Sequence, residues 1–443
     1  MSVKVDVDDL IDNQKFGAFS LRVVLLALIA LIADGYDVQV MAFAAPSLVK
    51  AWHIDRAAFA PVLSAGLFGI LFGAPLFGWI GDRIGRKRCI VIASMLYGLF
   101  CLACLTAHDL QTLTVLRFLT GVGLGGVMPN AIAIAAELTP RKLRAGLAGG
   151  IGVGITLGGV IPGLIAARTP PVETFHTLFL VGGIAPLVIA VLIATGMPES
   201  VGFLVRRGAS RERVLRLLRG IDPAAAIADD AEPVLRAPPT KAEGGLGALF
   251  EGRMKLVTPL LWLMFASTLL TIYLLTSWMP LLLEASGFAP SQAALVNSLF
   301  QAGGVLGAIA VGLLLGRLGP TLVAGLFVVT IAAIALVARG PLSEDGVVAA
   351  VGVCGFCLIG LQCALNGTAG LAYPTAARAK GVGMALGVGR IGSVVGPLIG
   401  GAMVASTGGS ARDLFLVPLL PLAFGAAAAI LVATRLSLRD RPI

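Results

Sequence analysis

The sequence predicts an all-α polytopic membrane protein, with twelve transmembrane helices arranged in two six-helix halves. Three observations predict this fold class. The 443 residues are 57% hydrophobic and only 13% charged, whereas soluble domains carry about a quarter charged residues. Long apolar runs recur along the whole chain, each close to the roughly 20 residues that a helix needs to cross a bilayer. The third observation is an internal repeat that relates the two halves.

Twelve spans follow from the apolar runs, which lack the strict alternation that a transmembrane β-barrel requires. The first run follows an acidic tail and has neither the basic start nor the cleavage site of a signal peptide, so we interpret it as a retained helix. The predicted spans are residues 20–43, 57–79, 88–106, 111–136, 145–167, 175–195, 256–283, 292–315, 320–339, 346–371, 379–405 and 411–435.

These spans divide the chain into five predicted segments. The N-terminal half covers residues 20–196 and the C-terminal half covers residues 256–436. Residues 197–255 between them begin with an arginine-rich piece and continue with an Ala/Pro/Gly-rich stretch, which is typical of a flexible polar linker. Residues 1–19 and 437–443 are predicted to be polar tails.

The internal repeat has one constant offset. The letters DRIG at 82–85 match GRLG at 316–319, and PRKLR at 140–144 matches PTAAR at 374–378, both at an offset of 234 positions. Two matches at one offset, in corresponding loops, indicate two halves with parallel topology. Transporters with such repeats bind their substrate between the repeats, near the midplane of the bilayer.

Basic residues concentrate in alternate predicted loops, which predicts the orientation. Cytoplasmic loops of membrane proteins carry an excess of Lys and Arg, so both termini and the linker are expected in the cytoplasm. The net charge of +9 is therefore interpreted as topological, and no nucleic-acid partner is expected. The residues that carry this bias are Arg83, Arg86, Lys87, Arg88, Arg141, Lys142, Arg144, Arg378 and Lys380.

Three motifs resemble signatures of the major facilitator superfamily. They are GWIGDRIGRK at 78–87, RFLTGVG at 117–123 and PES at 198–200. The resemblance covers the whole chain. It implies the major facilitator fold and a multi-pass protein of the bacterial inner membrane.

Three further motifs are similar to those of the aromatic acid:proton symporter family within that superfamily. They are DGYD at 34–37, GGVMPN at 125–130 and GVGRIG at 387–392. This resemblance implies proton-coupled import of a small aromatic carboxylate of the hydroxybenzoate or benzoate type. The alternatives are a carrier of another organic anion, an exporter, or a membrane sensor of aromatic acids that transports nothing. A monomer is expected.

Neither enzymatic activity nor a cofactor is expected. The nucleotide-binding pattern GxxxxGK[ST] does not occur in the sequence. The six cysteines lie within apolar spans and have no histidine nearby, so we interpret them as buried small side chains and expect no metal site.

Asp34 and Asp37 stand three residues apart near the middle of the first span, on one helical face. An ionised Asp at that depth costs a few kcal/mol. Burial and the like-charged neighbour both favour a protonated carboxyl group, so the pair is predicted to bind protons. The alternative is a structural pair that neighbouring helices hydrogen-bond. At the repeat offset both counterparts are threonine, Thr268 and Thr271, which predicts that proton chemistry belongs to the N-terminal half.

Two arginines stand alone in apolar spans. Arg117 is predicted to be the charge partner of an aspartate and to take part in proton coupling. Arg390 is predicted to bind the substrate carboxylate, because a guanidinium group matches a carboxylate bidentately. Pairing of either arginine with the aspartates or with backbone carbonyls is the alternative.

The remaining candidates are a gate and a pocket. Glu137, at the end of the fourth span, is grouped with the proton-coupling residues and is expected to touch the inner gate. The predicted gate residues are Asp82, Arg83, Arg86 and Arg144. Aromatic and amide side chains could shape the ligand pocket, although each could instead serve packing: Tyr36, Tyr273, Trp278, Asn297, Gln301, Asn366 and Tyr373.

Overall fold

The computed structural model describes residues 4–223, 225, 227–236, 246–339, 344–374 and 377–437. Within this part of the chain, 12 helices are long and apolar enough to cross a membrane. The first six are α1 (Ala18–Trp52), α2 (Ala60–Ile84), α3 (Arg86–Ala103), α4 (Leu110–Leu124 and Val127–Glu137), α5 (Arg141–Ala166) and α6 (Thr174–Gly196). The second six are α7 (Met254–Ala285), α8 (Pro290–Leu318), α9 (Pro320–Arg339), α10 (Glu344–Ala372), α11 (Arg378–Thr407) and α12 (Ala411–Leu416 and Leu419–Ser437).

Several helices extend beyond the predicted spans. An apolar run marks only the part of a helix that lies in hydrocarbon, whereas the helix itself continues until its backbone is interrupted. Thus α1 continues to Trp52, and His53 then adopts the left-handed conformation with φ of 52°. Similarly, α2 ends at Ile84, and the next residue, Gly85, has a φ of 102° that favours glycine.

The two halves pack their helices in the same way, which confirms the predicted pair of six-helix halves. In the first half α1 packs against α5 and α6, α2 against α4, and α3 against α6. In the second half α7 packs against α11 and α12, α8 against α10, and α9 against α12. Every pair in one list has its counterpart six helices later in the other.

Close helix contacts follow the repeat offset residue by residue. Gly69 on α2 packs against the carbonyl oxygen of Phe118 on α4, and Gly303 on α8 packs against that of Gly352 on α10. A Cβ at either glycine would overlap with the facing carbonyl, so both positions need glycine for the helices to approach. Both members of the second contact lie 234 positions after those of the first.

Contacts between the halves also occur as a symmetric pair. The hydroxyl of Ser64 on α2 donates to the carbonyl oxygen of Val394 on α11 at 2.9 Å. The hydroxyl of Ser298 on α8 donates to that of Val160 on α5 at 3.1 Å. Ser298 and Val394 lie 234 positions after Ser64 and Val160, so the two hydrogen bonds are equivalents across one pseudo-twofold axis.

The two ends of the molecule differ. We call the end with the start of α1 and the α2–α3 loop the basic end, and the end where α1 finishes the opposite end. At the opposite end, Lys50 Nζ of α1 lies 2.5 Å from Glu284 Oε2 of α7. Toward the basic end, a Cβ added to Gly149 of α5 or to Gly387 of α11 would meet no atom within 4 Å. The described contacts therefore join the halves at the opposite end, and α5 and α11 leave free space beside these two glycines at the basic end.

Several of the polar segments at the basic end form strands and helices. Strand β1 (Lys4–Asp6) pairs in parallel with strand β2 (Glu232–Val234) of the linker. The arginine-rich piece of the linker forms helices Val201–Arg206 and Arg211–Ile221. The second of these buries the apolar side chains of one face, as its sequence period predicts. Residues 237–245 and 438–443 of the predicted linker and tail lie outside the described residues.

Candidate functional site

Asp37 and Arg117 form a buried ion pair within the N-terminal half. Asp37 on α1 is 0% exposed and Arg117 on α4 is 2% exposed. The guanidinium Nη1 lies 3.2 Å from Asp37 Oδ1 and from Oδ2, and Nη2 donates to the backbone carbonyl of Asp37 at 3.0 Å. Each charge compensates the other, which a charge at this depth requires.

Asp34 lies one turn earlier on α1 and is held differently. Its side chain is 5% exposed, and Oδ1 has no hydrogen-bond partner among the described residues. Arg390, on α11 of the other half, is close enough to interact electrostatically with this carboxyl group. A buried carboxylate without a hydrogen bond is costly while it is ionised, and a bound proton removes that cost. Asp34 can therefore exchange a proton or be compensated by Arg390.

Arg390 keeps most of its donors available. The residue is half-buried, and among the described residues its guanidinium makes one hydrogen bond, from Nη1 to the hydroxyl of Tyr273 on α7 at 3.4 Å. A guanidinium carries five N–H donors in a planar fork that matches a carboxylate. Arg390 and Tyr273 can together receive an anionic group between the halves.

Two of the predicted pocket residues each form a hydrogen bond to another helix of their own half. The hydroxyl of Tyr36 on α1 donates to the carbonyl oxygen of Leu178 on α6 at 2.9 Å. The indole Nε1 of Trp278 on α7 donates to the carbonyl oxygen of Pro397 on α11 at 2.9 Å, and its side chain is 0% exposed. A buried hydroxyl or indole N–H needs a hydrogen-bond acceptor, and inside an apolar helix bundle a backbone carbonyl can supply it.

The three predicted amide residues have separate surroundings. Asn297 on α8 is 0% exposed and donates from Nδ2 to the carbonyl oxygen of Thr276 at 3.3 Å, while its Oδ1 has no partner among the described residues. Gln301, one turn further, lies against Gly159 of α5 and so stands between the halves. Asn366 is exposed on α10 and accepts a hydrogen bond from Gln362 at 3.4 Å. Tyr373 is 1% exposed at the end of α10.

Three of the predicted gate and coupling residues form one network at the basic end. Arg86 Nη2 lies 2.6 Å from Asp82 Oδ1, and Arg86 Nε lies 3.8 Å from Glu137 Oε1. Because Asp82 lies in the last turn of α2, Arg86 begins α3 and Glu137 ends α4, the network ties three helix ends together. All three belong to the N-terminal half.

In the described part of the chain, the other two gate candidates form no ion pair with this network and have other partners. The guanidinium of Arg83 stacks on the ring of Trp79 at 3.6 Å from its centre. Arg144 Nη2 lies 2.9 Å from Asp12 Oδ1 of the N-terminal tail. Both residues lie at the basic end, as their loops predict, but arginine is long enough to reach partners that a loop position does not specify.

Sequence reasoning missed two sets of polar residues. Asn130 on α4 is 0% exposed, donates to the carbonyl oxygens of Gly126 at 2.8 Å and Phe77 at 3.2 Å, and accepts from Arg86 at 3.4 Å. A lone amide in an apolar helix was the available signal. The ion pair between Lys50 and Glu284 was also missed, although the two residues are separated by the repeat offset of 234.

Within the described residues, no group of three or more His, Cys, Asp or Glu side chains could hold a metal ion.

A family model described as Major Facilitator Superfamily matches residues 27–388 of the chain. The chain belongs to this superfamily. It is therefore a membrane transporter by family.

Relatives within the superfamily are similar over nearly their full length. The 4-hydroxybenzoate transporter PcaK of Pseudomonas aeruginosa is 38% identical over 429 residues, which cover 97% of this chain and 96% of the relative. The gallate transporter of Pseudomonas putida is 38% identical, with 99% and 97% covered. The 3-(3-hydroxy-phenyl)propionate transporter of Escherichia coli is 34% identical, with 87% of each chain covered. Each of the three transporter names includes an aromatic acid.

Solved structures of the same fold are more distant in sequence. A bacterial homologue of the human lysosomal transporter Spinster, described as inward-facing and unoccupied, has a TM-score of 0.75 at 19% identity and covers 97% of this chain and 100% of its own. The xylose transporter XylE of Escherichia coli, described as partially occluded and inward open, has a TM-score of 0.72 at 16% identity, with 94% and 98% covered. These likenesses establish the major facilitator fold.

Proposed function

We propose that this protein imports an aromatic carboxylate together with protons, by alternating access, across the bacterial inner membrane. The observation that carries the proposal is the arrangement of Asp34 and Arg390, a buried carboxylate and a half-buried guanidinium on opposite halves. The names of the relatives support an aromatic acid as the substrate class. Hydroxybenzoate-like acids fit best, because they pair one carboxylate with one ring.

Substrate binding centres on Arg390. Its fork receives the carboxylate, and Tyr273 contributes its hydroxyl and a ring edge. Asn297 and Gln301 supply amide groups from α8, and Asn366 extends the polar lining toward the basic end. Tyr36, Trp278 and Tyr373 support the site by holding their helices in place.

The charge on Arg390 couples the substrate to a proton. Without substrate, Arg390 compensates the negative charge of Asp34 across the interface. A bound substrate carboxylate takes that positive charge for itself, so Asp34 remains buried beside a second anion and takes up a proton. Substrate and proton then bind together and leave together. Asp37 remains paired with Arg117 throughout the transport cycle. This ion pair holds α1 against α4 and sets the local electric field.

Alternating access requires that the two ends of the molecule open and close in turn. In the proposed cycle the basic end is cytoplasmic, as are both termini and the linker, and the present state is open to the cytoplasm. The bonds made by Ser64, Ser298 and Lys50 close the outer side. The network of Asp82, Arg86 and Glu137, with Arg83 and Arg144 beside it, belongs to the inner gate. The working unit is a monomer.

Uptake into proteoliposomes tests the proposal. We expect labelled 4-hydroxybenzoate to accumulate when the outside is acidic, and a protonophore to abolish the accumulation. Accumulation that persists without a proton gradient would refute proton coupling. If aromatic acids instead bind the purified protein and stabilise it without ever crossing the membrane, the sensor alternative is correct.

A further inference from the structure

A basic cavity lies at the basic end of the N-terminal half, away from the interface between the halves. Its volume is about 1230 Å³. The start of α1, the α2–α3 loop, the end of α6 and the two linker helices bound it. Seven basic residues line it, which are Arg22, Arg83, Lys87, Arg88, Arg207, Arg213 and Arg216.

The positive charge of this cavity is largely uncompensated by protein. Of the described residues that line it, Glu199 is the one acid. Its Oε1 accepts hydrogen bonds from the backbone N–H groups of Lys87 at 3.1 Å and Ser200 at 3.0 Å, so it serves to fix the loop. The ion pairs formed by described residues involve none of the seven basic side chains. A cavity with this charge attracts anions.

Several of the cationic groups are held at the walls of the cavity. Arg83 stacks on Trp79, and Arg207 Nη2 donates to the backbone carbonyl of Arg83. Arg22 lies over the ring of Phe19, 5.6 Å from its centre. These contacts fix guanidinium groups beside the cavity, so an anion that binds there meets donors that are already in place.

The surface next to the cavity is apolar and belongs to helices that are long and apolar enough to cross a membrane. Leu25 and Ile29 follow Arg22 on the same face of α1, at spacings of three and seven residues. Their side chains are 44% and 40% exposed, and Trp79 is 54% exposed. Moving from the cavity toward the bilayer centre, the surface therefore changes from cationic to aliphatic. A phospholipid has the same order of chemistry, an anionic phosphate ester followed by acyl chains.

We propose that this cavity binds the headgroup of an anionic phospholipid from the surrounding leaflet, with an acyl chain lying along Leu25 and Ile29. Arginine matches phosphate oxygens bidentately, and basic pockets at the ends of membrane helices suit anionic headgroups. Through Arg213 and Arg216 the lipid fastens the linker helix Arg211–Ile221 to the N-terminal half at the membrane surface. A free phosphate shares the anionic chemistry but has nothing to place on the aliphatic stripe.

The test is binding of phosphatidylglycerol to the purified full-length protein, measured by thermal stability and by native mass spectrometry. Phosphatidylcholine, inorganic phosphate and the deacylated headgroup glycerophosphoglycerol serve as comparison ligands. We expect phosphatidylglycerol to raise the apparent Tm by several degrees and the other three to change it little. Equal stabilisation by phosphatidylcholine would overturn the anionic site. Equal stabilisation by phosphate or by the headgroup would assign the cavity to a soluble anion and overturn the lipid.

Variants of one helix separate this cavity from general surface charge. The double substitution Arg213→Gln and Arg216→Gln removes two cavity cations, and Arg211→Gln with Arg219→Gln removes two cations of the same helix that do not line the cavity. We expect about a tenfold loss of phosphatidylglycerol affinity in the first and none in the second. Equal affinity in both would overturn the proposal. Arg22→Gln, on α1, repeats the test without touching the linker and should show a smaller loss of the same kind.

Discussion

The two halves of the molecule share one packing scheme but not one set of charges. In the N-terminal half, Asp37 and Arg117 are buried as a pair. At the repeat offset the C-terminal half has Thr271 and Val351, and Thr271 donates its hydroxyl to a carbonyl of its own helix at 2.9 Å. The same helix arrangement thus forms with and without the ion pair. Glycine contacts and apolar burial determine the architecture, and the charges are free to serve another purpose.

Arg390 is a charge that the C-terminal half has and the N-terminal half lacks. Its counterpart in the N-terminal half is Thr156, while the counterpart of Asp34 is Thr268. Each half therefore brings one unmatched ionisable group to the interface. Opposite charges on different halves make the interface between the halves, rather than either half alone, the place where binding and movement are linked.

The largest effect is expected from breaking the buried ion pair. Arg117→Gln leaves Asp37 buried without its cation, which should lower the free energy of unfolding by about 3–5 kcal/mol and abolish uptake. Thr271→Val, at the equivalent of Asp37 in the other half, removes one hydroxyl and should cost about 1 kcal/mol. Thermal unfolding in detergent and uptake assays measure both. Similar losses in the two variants would contradict the asymmetry.

The next effect concerns proton coupling. Asp34→Asn keeps the size of the side chain but cannot carry a proton, so accumulation should fall to the equilibrium level while exchange of labelled for unlabelled substrate persists. Exchange should also lose its dependence on pH. Thr268→Asn makes the matching change in the other half and should leave accumulation intact. Normal accumulation in Asp34→Asn would remove this residue from the coupling mechanism.

A smaller effect is expected at the substrate carboxylate. Arg390→Lys keeps the charge but loses the planar fork, so the KM for the aromatic acid should rise roughly tenfold, equivalent to about 1.4 kcal/mol, with a smaller change in kcat. Arg378→Lys, at the exposed start of the same helix, is the matched control. An unchanged KM would give Arg390 a structural role.

The smallest effect tests the symmetry itself. Ser64→Ala and Ser298→Ala each remove one hydrogen bond between the halves, so each should favour opening of the opposite end by about 1 kcal/mol, or roughly fivefold. Spin-label distances across that end measure the shift, and the double variant should be additive. Ser47→Ala is the control, because Ser47 bonds a carbonyl of its own helix. Clearly unequal single effects would show that the halves do not share the closing contact.

The fold could be predicted from sequence because hydropathy and the repeat are properties of long stretches. Twelve apolar runs gave twelve helices, and two loop matches gave the offset that Gly69 and Gly303 obey in the structure. The bounds of the helices were less predictable. Hydropathy ends at the first polar residues, whereas α1 continues to the left-handed His53.

The partners of polar side chains were harder to predict than their presence. Sequence position identified Asp34, Asp37, Arg117 and Arg390 as costly groups in lipid, and the structure puts them on α1, α4 and α11. Sequence position could not specify that Tyr36 turns toward a carbonyl of α6, or that Arg144 reaches the acidic tail. A long side chain has several acceptors within reach, and only the folded packing selects among them.

The parallel pairing of β1 with β2 has a consequence for synthesis. In the chain, β1 precedes all six helices of the first half, and its partner strand follows them. The strand pairing can therefore form only after the six helices of the first half have been synthesised.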